Sequence, residues 1–359
     1  MPRHTRSALA GALLLVALMR LPPAILHSAG RQPSIVTIRV INATLRFPLA
    51  NADVIDLTSG QHRFTDEYGQ ARLPWPSDGR LRLRVREVGY QPIQRTLSRA
   101  AVSDEATTFA LSKVAYVISP VKATGHCVTT DDSASLALSV SVLDQLKQGA
   151  EKYNEFRRLY PFEASVERRT ARVPENGPVT HILRENEKFQ SETSEPPYRP
   201  GDIIEYSRYG SFNAPLLYLS TLGDSVFWDN HCFIARGVES YRGARAVRLE
   251  FSPITDLQGP DWTGAALLDS ATSNLLRVEF QMVNLDAQKG LRRLEGYQTF
   301  RSPSPFVIMP DSVAAIWWTR GTSNDDRDFG RPDFAQSLHF DSLKYRKARP
   351  PEFIPPGRK

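Results

Sequence analysis

The sequence of 359 residues has few cysteines and no long apolar segment. Two cysteines are too few for a disulfide-stabilised miniature fold. The longest apolar run, Ala8 to Met19, is well short of the roughly twenty residues that cross a bilayer as a helix. Charge is also nearly balanced, with 45 Lys and Arg against 39 Asp and Glu. These features exclude a disordered, collagen-like or multi-span membrane protein and leave an ordinary globular chain, long enough for two domains.

The N-terminus has the layout of a secretory signal peptide over residues 1–30. Arg3 and Arg6 precede the apolar run, and the small residues at 28–30 follow it. The first cysteine, Cys127, lies far beyond the run, so a lipid-anchored N-terminus is not expected. We therefore predict an exported protein, in the periplasm, associated with the outer membrane or secreted, with no stable membrane span.

Residues 34–113 consist of short alternating segments separated by turns containing Gly, which predicts an antiparallel β-sandwich. Arg82, Arg84 and Arg86 alternate with apolar residues, as on the solvent-facing side of a strand, and a nucleic-acid partner is not expected. No helix of useful length fits this region. The predicted strands are Ile35 to Ile41, Ala52 to Leu57, Gly69 to Leu73, Leu81 to Val88 and Thr107 to Leu111.

Three segments of this region resemble carboxypeptidase regulatory-like domains: Ala52-Asp53-Val54, Thr65-Asp66-Glu67-Tyr68-Gly69 and Gly89-Tyr90. Such domains are prealbumin-like sandwiches of seven strands. The resemblance implies the fold and compatibility with carbohydrate binding, but it implies no carboxypeptidase activity, because the sequence has no matching zinc-binding His-x-x-Glu motif.

Residues 114–155 form a junction with one amphipathic helix, predicted from Ser133 to Tyr153. Leu136, Val140, Leu143 and Leu146 repeat at helical spacing and are expected to pack against a sheet.

A larger antiparallel β domain, which could curl into a half-barrel, is predicted over residues 156–345, followed by a Pro-rich basic tail at 346–359. The fold class is therefore mainly β, with one helix. Loops are predicted at Glu192 to Gly201 and Thr322 to Asp333. The predicted strands are Phe162 to Val173, Ile203 to Tyr209, Ala244 to Phe251, Thr263 to Asp269, Leu275 to Val283, Gly290 to Phe300 and Ala314 to Thr319.

The turn from Gly264 to Thr272 is similar to one in the half-barrels of lipoprotein-carrier and LppX-like proteins. That resemblance implies a curved sheet able to hold an apolar ligand. The chain departs from those carriers because it lacks a lipobox and an obvious long apolar lining.

Both cysteines follow a histidine, in His126-Cys127 and His231-Cys232. In an oxidising compartment a Cys127–Cys232 disulfide is expected in preference to free thiols or a zinc site. Zinc ligation by both dipeptides is disfavoured, since adjacent strand residues point to opposite faces.

No motif for catalysis, phosphate binding or a cofactor is found, and His62, His181 and His339 are isolated. An unfamiliar hydrolase site is the remaining catalytic alternative, and it would combine Asp256, Asp261, Asp269 and His231. It requires these groups to converge within hydrogen-bonding reach.

Four tryptophans are candidates for contact with a ligand: Trp75, Trp228, Trp262 and Trp318. The leading hypothesis is a non-enzymatic binding or scaffolding protein of the bacterial cell envelope, with a carbohydrate, a peptide or another envelope protein as partner. The first alternative is a carrier or sensor of an apolar ligand, which predicts a sizeable apolar cavity under the helix. The second alternative is the hydrolase.

Overall fold

The fold is described from a computed structural model that covers most of the chain. The described residues are 35–102, 105–114, 133–172, 182–192, 195, 197–206, 212–213, 216–286, 290–304, 307–319 and 334–346. The predicted signal peptide, Cys127 and the predicted loop at residues 322–333 lie outside them. The domain boundaries and the export signal therefore stay predictions.

The N-terminal part forms two facing sheets of short strands. One has the order β4-β1-β7 and the other the order β3-β2-β5-β6. β7 runs parallel to β1, whereas the sequence predicted an antiparallel sandwich throughout, because the chain crosses between sheets after β6. The strands are β1 Ile35–Asn42, β2 Asp53–Asp56, β3 Gln61–Phe64, β4 Gln70–Pro74, β5 Arg80–Arg86, β6 Ile93–Ser98 and β7 Thr107–Leu111.

The alternation seen in the sequence determines which side chains fill this sandwich. On β5, Leu81, Leu83 and Val85 are fully buried, while Arg80 and Arg82, which alternate with them, are exposed. Inward residues of both sheets form one apolar cluster. β3 and β6 were not predicted, because each has mostly exposed residues and little alternation.

Helix α1, Ser133–Leu159, begins at the predicted residue but extends six residues further. Its buried face also differs from the prediction, since Val140 is exposed and the side chain of Leu136 lies outside the described set. The buried apolar residues are Leu138, Val142, Leu146, Ala150, Tyr153 and Phe156. None of the helices in the described ranges is long and apolar enough to span a bilayer.

The C-terminal part is dominated by one open sheet of nine strands. Its order is β12-β13-β14-β15-β16-β17-β18-β8-β9, and every neighbouring pair is antiparallel. The sheet strands are β8 Phe162–Arg172, β9 Ile182–Gln190, β12 His231–Tyr241, β13 Ala244–Pro253, β14 Asp261–Asp269, β15 Leu275–Val283, β16 Leu291–Ser304, β17 Val307–Thr319 and β18 Phe334–Tyr345.

Short elements connect β9 to β12. They are β10 Glu205–Tyr206, β11 Phe212–Asn213, α2 Leu219–Leu222 and α3 Ser225–Asp229. Of the strand predicted to begin at Ile203, only β10 is found among the described residues. Ile203 and Ile204 are buried in the core but lie outside any strand. The mainly β fold class is confirmed.

Helix α1 packs on the C-terminal sheet and also contacts the sandwich. The Ser139 hydroxyl accepts the backbone N–H of Ala235 on β12 at 2.9 Å. On the sandwich side, Gln145 Oε1 accepts the N–H of Gly89 at 2.6 Å. Gly89 has φ +86°, and a Cβ there would lie 2.9 Å from the carbonyl oxygen of Thr272, so the close approach of the two parts requires glycine.

Buried charges join the sandwich to α1. Lys152 Nζ lies 2.8 Å from both carboxylate oxygens of Glu87. Arg86 donates to Asp53 at 3.0 Å and also pairs with Glu151 of α1. Burial raises the pKa of Glu87, and the positive charge of Lys152 offsets part of that rise. Since an unpaired buried charge is costly, these pairs fix the position of α1.

His62 extends this network and makes stability depend on pH. Its Nδ1 lies 2.9 Å from Asp53 Oδ1. Burial lowers the pKa of His62, but the hydrogen bond and charge of Asp53 outweigh burial, so the pKa lies above its usual value. A raised pKa means that protonated His62 stabilises the fold below about pH 6.5. This stabilisation is lost as the pH rises through the raised pKa.

We predict that His62→Gln removes this pH dependence. Between roughly pH 6 and pH 8.5, the thermal midpoint of the wild type should fall more than that of the variant. Thermal unfolding followed by circular dichroism at both pH values measures the difference. Parallel pH profiles for the two proteins would contradict the role of His62.

A second prediction concerns Gly296 in the middle of β16. A Cβ at this position would lie 2.8 Å from Phe280 Cζ and 3.0 Å from Ala315 Cα. Gly296→Ala should therefore lower the free energy of unfolding by about 1–3 kcal/mol through overpacking. The control is Gly149→Ala on α1, where the nearest atom is Ile308 Cδ1 at 3.8 Å, and it should be neutral or stabilising by up to about 1 kcal/mol. Equal urea unfolding midpoints for the two variants would refute the packing argument.

Candidate ligand-binding groove

An open groove of about 660 Å³ lies on the C-terminal sheet, on the face opposite α1. Its lining comes from the six neighbouring strands β12 to β17. Five strand spacings of about 4.8 Å give the groove a length of about 24 Å. It is therefore long enough for an extended chain of about seven residues.

The alternation of the strands places polar side chains in the groove. On β13, Val247 and Leu249 are fully buried on the α1 side, while Arg248 and Glu250 line the groove. The same pattern on β15 sends Val278 inward and Arg277 outward. The groove is thus the solvent-facing side of strands whose other side forms the core.

Arginine and glutamate alternate across the groove as a network of ion pairs. Arg236 Nε lies 2.6 Å from Glu250, and Arg248 lies 3.4 Å from the same carboxylate. Arg248 also lies 3.1 Å from Glu279, which in turn lies 3.1 Å from Arg277 Nε. With Glu295 included, three arginines balance three glutamates. The groove therefore offers both signs of charge in alternation.

Tyr297 adds an aromatic surface to one end of the groove. The guanidinium carbon of Arg277 lies 3.9 Å from the centre of its ring, and 36% of the residue is exposed. Next to Tyr297 across the strand pair, Ala314 gives the floor a small apolar side chain. Ile234 and Ile316 provide further apolar floor. A bound chain would meet charge along the network and apolar surface beneath it.

The space beneath α1, in contrast, is filled. The void found there, between Leu146, Leu219, Leu275 and Ile308, has no room for a water molecule. Large side chains of the helix and the sheet form one continuous apolar cluster. The sizeable apolar cavity expected for a carrier is therefore not found in the described part of the chain.

His231 and Asp261 do meet, but inside the core. Their side chains are fully buried, with His231 Nε2 3.5 Å from Asp261 Oδ1. The ring nitrogens also lie 2.9 Å from the carbonyl oxygens of Phe227 and Trp262. Burial lowers the pKa of His231, and the charge of Asp261 offsets only part of this effect.

The other partner of Asp261 is Tyr198, whose hydroxyl donates to Asp261 Oδ2 at 2.6 Å. Burial, followed by this hydrogen bond, raises the pKa of Tyr198, so its proton stays in place. The Gly201 N–H also donates to Asp261, at 3.0 Å. The cluster ties the loop before β10 to β14 and has no solvent-facing atom on which a substrate could react.

The other two acids of the hydrolase hypothesis do not join this cluster. Asp269 lies at the opposite end of β14 and accepts the N–H groups of Ala271 and Thr272 in the following turn, both at 2.8 Å. Asp256 is exposed in the turn after β13. Eight residues of strand separate Asp261 from Asp269, about 26 Å, so the predicted convergence is wrong.

The four candidate tryptophans are placed in different surroundings. Trp75 is 8% exposed in the sandwich core, and Trp262 is 2% exposed against Phe280. Neither offers a face to a ligand in this structure. Trp318 lies on the groove side of β17, where the Arg293 guanidinium is 4.6 Å above its ring.

Trp228 on α3 is partly buried and lies under Lys147 of α1. The Lys147 Nζ is 3.6 Å from its ring centre, and burial lowers the pKa of this amine. The indole N–H donates to the carbonyl oxygen of Leu222 at 2.8 Å. The ring of Trp228 thus packs against α1, and its indole N–H connects α3 to α2.

Cys232 lines the groove, whereas its neighbour His231 points into the core. The two residues therefore lie on opposite faces of β12. Because Cys127 is outside the described residues, the disulfide stays a prediction. Within the described ranges, no group of three or more His, Cys, Asp and Glu side chains has an arrangement that could hold a metal ion.

The groove was not predicted, although the sequence contains a signal for it. Alternating Arg and Glu occur in the segments at 248–250, 277–279 and 293–295. Which Arg pairs with which Glu depends on strand order and on register. For example, Arg248 lies opposite Leu267, and Arg277 lies opposite Thr299. Neither can be read from one strand alone.

No family model and no curated protein matches the chain. The resemblance to carboxypeptidase regulatory-like domains is therefore not supported.

Solved structures give three distant likenesses. A putative outer membrane lipoprotein-sorting protein domain from Vibrio parahaemolyticus is 13% identical, with a TM-score of 0.29 over 56% of this chain and 95% of that one. A DUF1329 family protein from Desulfovibrio piger is 10% identical, with a TM-score of 0.33 over 59% and 93%. A LolA superfamily protein from Nitrosomonas europaea is 14% identical, with a TM-score of 0.29 over 59% and 94%. At TM-scores below 0.5, these likenesses assign neither a family nor a function to the chain.

Proposed function

We propose that this chain is an exported, non-enzymatic binding protein whose groove holds an extended peptide. The observation that carries the proposal is the groove of about 660 Å³ with its alternating Arg and Glu side chains. A volume of this size is typical of ligand sites. The cluster of His231, Asp261 and Tyr198 is buried on the other side of the sheet, which favours binding over catalysis in the groove.

The chemistry of the groove favours a peptide over a carbohydrate. A peptide carries backbone donors and acceptors, and side chains of both charges, which match the paired Arg and Glu of the groove. Stacking of a neutral sugar ring needs an open aromatic face, whereas one face of Tyr297 is occupied by Arg277 at 3.9 Å. The apolar residues of the floor suit the side chains of an extended strand.

Transport of an apolar ligand is a second candidate, favoured by one observation. Most side chains between α1 and the sheet are apolar and form one continuous cluster. Because this interior is filled, a ligand would have to displace α1. That movement would break the buried Lys152–Glu87 pair, at a typical cost of about 3–5 kcal/mol. The groove needs no such rearrangement.

Filling the groove should abolish peptide binding. Ala314→Phe puts a ring on the floor opposite Tyr297, at a strand position that accepts aromatic residues. A pool of mixed-charge heptapeptides, analysed by affinity mass spectrometry, should bind the wild type at least about tenfold more tightly than the variant. The matched control is Ser337→Phe, directly across from Ala314 on β18 but outside the groove lining, and it should bind like the wild type.

Three results would reject the peptide site. Equal peptide binding by Ala314→Phe and the wild type would place the ligand elsewhere. Binding of neutral oligosaccharides in place of the peptides, and loss of that binding in Ala314→Phe, would make the groove a carbohydrate site. Binding of a fluorescent fatty acid, unaffected by Ala314→Phe and accompanied by no peptide binding, would favour the apolar carrier.

A further inference from the structure

Strand β5 of the sandwich carries three arginines in a row on its solvent-facing side. Arg80 and Arg82 are exposed and Arg84 is half-buried. Residues two apart on a strand share a face and lie about 7 Å from each other, so the row extends about 13 Å. We call Arg80, Arg82 and Arg84 the arginine row.

The arginine row places three guanidinium groups along one strand, with no acidic partner beside any of them in the described part of the chain. On the C-terminal sheet, Arg236, Arg277 and Arg293 each lie within 4.0 Å of a glutamate. No carboxylate among the described residues lies within that distance of Arg80, Arg82 or Arg84. The nearest acid in the chain sequence, Asp78, accepts the backbone N–H of Arg80 at 3.0 Å.

Neutral polar residues lie beside the row. In the register of β5 with β6, Arg80 is opposite Ser98, Arg82 is opposite Thr96, and Arg84 is opposite Gln94. All three β6 residues are exposed.

On the other side of the row, Ile55 of β2 is opposite Arg84. Leu57, two residues after Ile55, has 37% of its surface exposed. The face is therefore basic and rich in hydroxyl and amide groups.

We infer that this face binds a linear anionic polysaccharide that carries carboxylates. Three unpaired guanidinium groups at a regular spacing match repeated negative charges along a chain better than one small anion. The hydroxyl and amide groups of Ser98, Thr96 and Gln94 are complementary to the sugar hydroxyls of such a chain. This surface belongs to the sandwich and is independent of the groove.

Polygalacturonate is a suitable probe, and its fully methyl-esterified form is the uncharged counterpart. The variant Arg80→Gln/Arg82→Gln/Arg84→Gln removes the row. The control Arg39→Gln/Arg63→Gln/Arg72→Gln removes the same net charge from exposed positions elsewhere on the sandwich. Isothermal titration calorimetry at low salt should show binding weakened at least about tenfold in the first variant and within about twofold in the control.

Further outcomes decide the proposal. Wild-type binding should weaken with rising salt and be lost with the esterified polymer. Equal weakening of polygalacturonate binding in both triple variants would mean that binding depends only on net charge. That result would overturn the proposed site. If the wild type bound phosphatidylglycerol vesicles but not polygalacturonate, the ligand would be a lipid surface and the glycan proposal would be wrong. Absence of binding to either probe would also overturn it. Unaltered thermal midpoints show that the variants fold.

Discussion

The buried charge pairs between the sandwich and α1 are the interaction on which the arrangement of the rest depends. Glu87 and Lys152, with side chains 12% and 6% exposed, have to stay together because either charge alone would be buried without compensation. Arg86 adds a second connection, since it contacts both Asp53 and Glu151. The ion pairs therefore hold α1 in one position between the two β parts.

The position of α1 decides which face of the nine-stranded sheet is available. The helix packs on one face, in contact with β12, β13 and β17, and large apolar side chains fill the space beneath it. The remaining face then carries the solvent-exposed half of every alternating strand. Between β12 and β17 this face forms the groove, and its Arg and Glu side chains neutralise one another without help from the core. The same physical rule, alternation along a strand, thus produces both the core and the binding surface.

The arginines of the groove and those of the arginine row differ in whether a neighbouring carboxylate neutralises them. In the groove, each guanidinium is oriented by a glutamate, so the network is preorganised for a ligand with both charges. Along Arg80, Arg82 and Arg84, no such partner balances the charge among the described residues. A surface of that kind attracts polyanions and is sensitive to salt.

Much of the fold follows from sequence patterns, because alternation and turn residues act locally. The strands at 81–86 and 275–283 and the start of α1 at Ser133 are examples. β9 escaped prediction because nearly all of its residues are exposed and no periodicity marks it. The buried face of α1 was mispredicted because the helix contacts two domains, so polar residues such as Gln145 and Lys152 are buried as well.

The groove could not be predicted, because it depends on strand order and register. Likewise, His231 and Asp261 are close together in space only because β12 and β14 flank β13.

A structure of the protein with a bound heptapeptide from the mixed-charge pool would test the central claim most directly. We expect electron density for an extended peptide across β12 to β17, in contact with Tyr297 and the Arg and Glu network, while α1 stays in place. Density for the peptide between α1 and the sheet, with the Lys152–Glu87 pair broken, would contradict it.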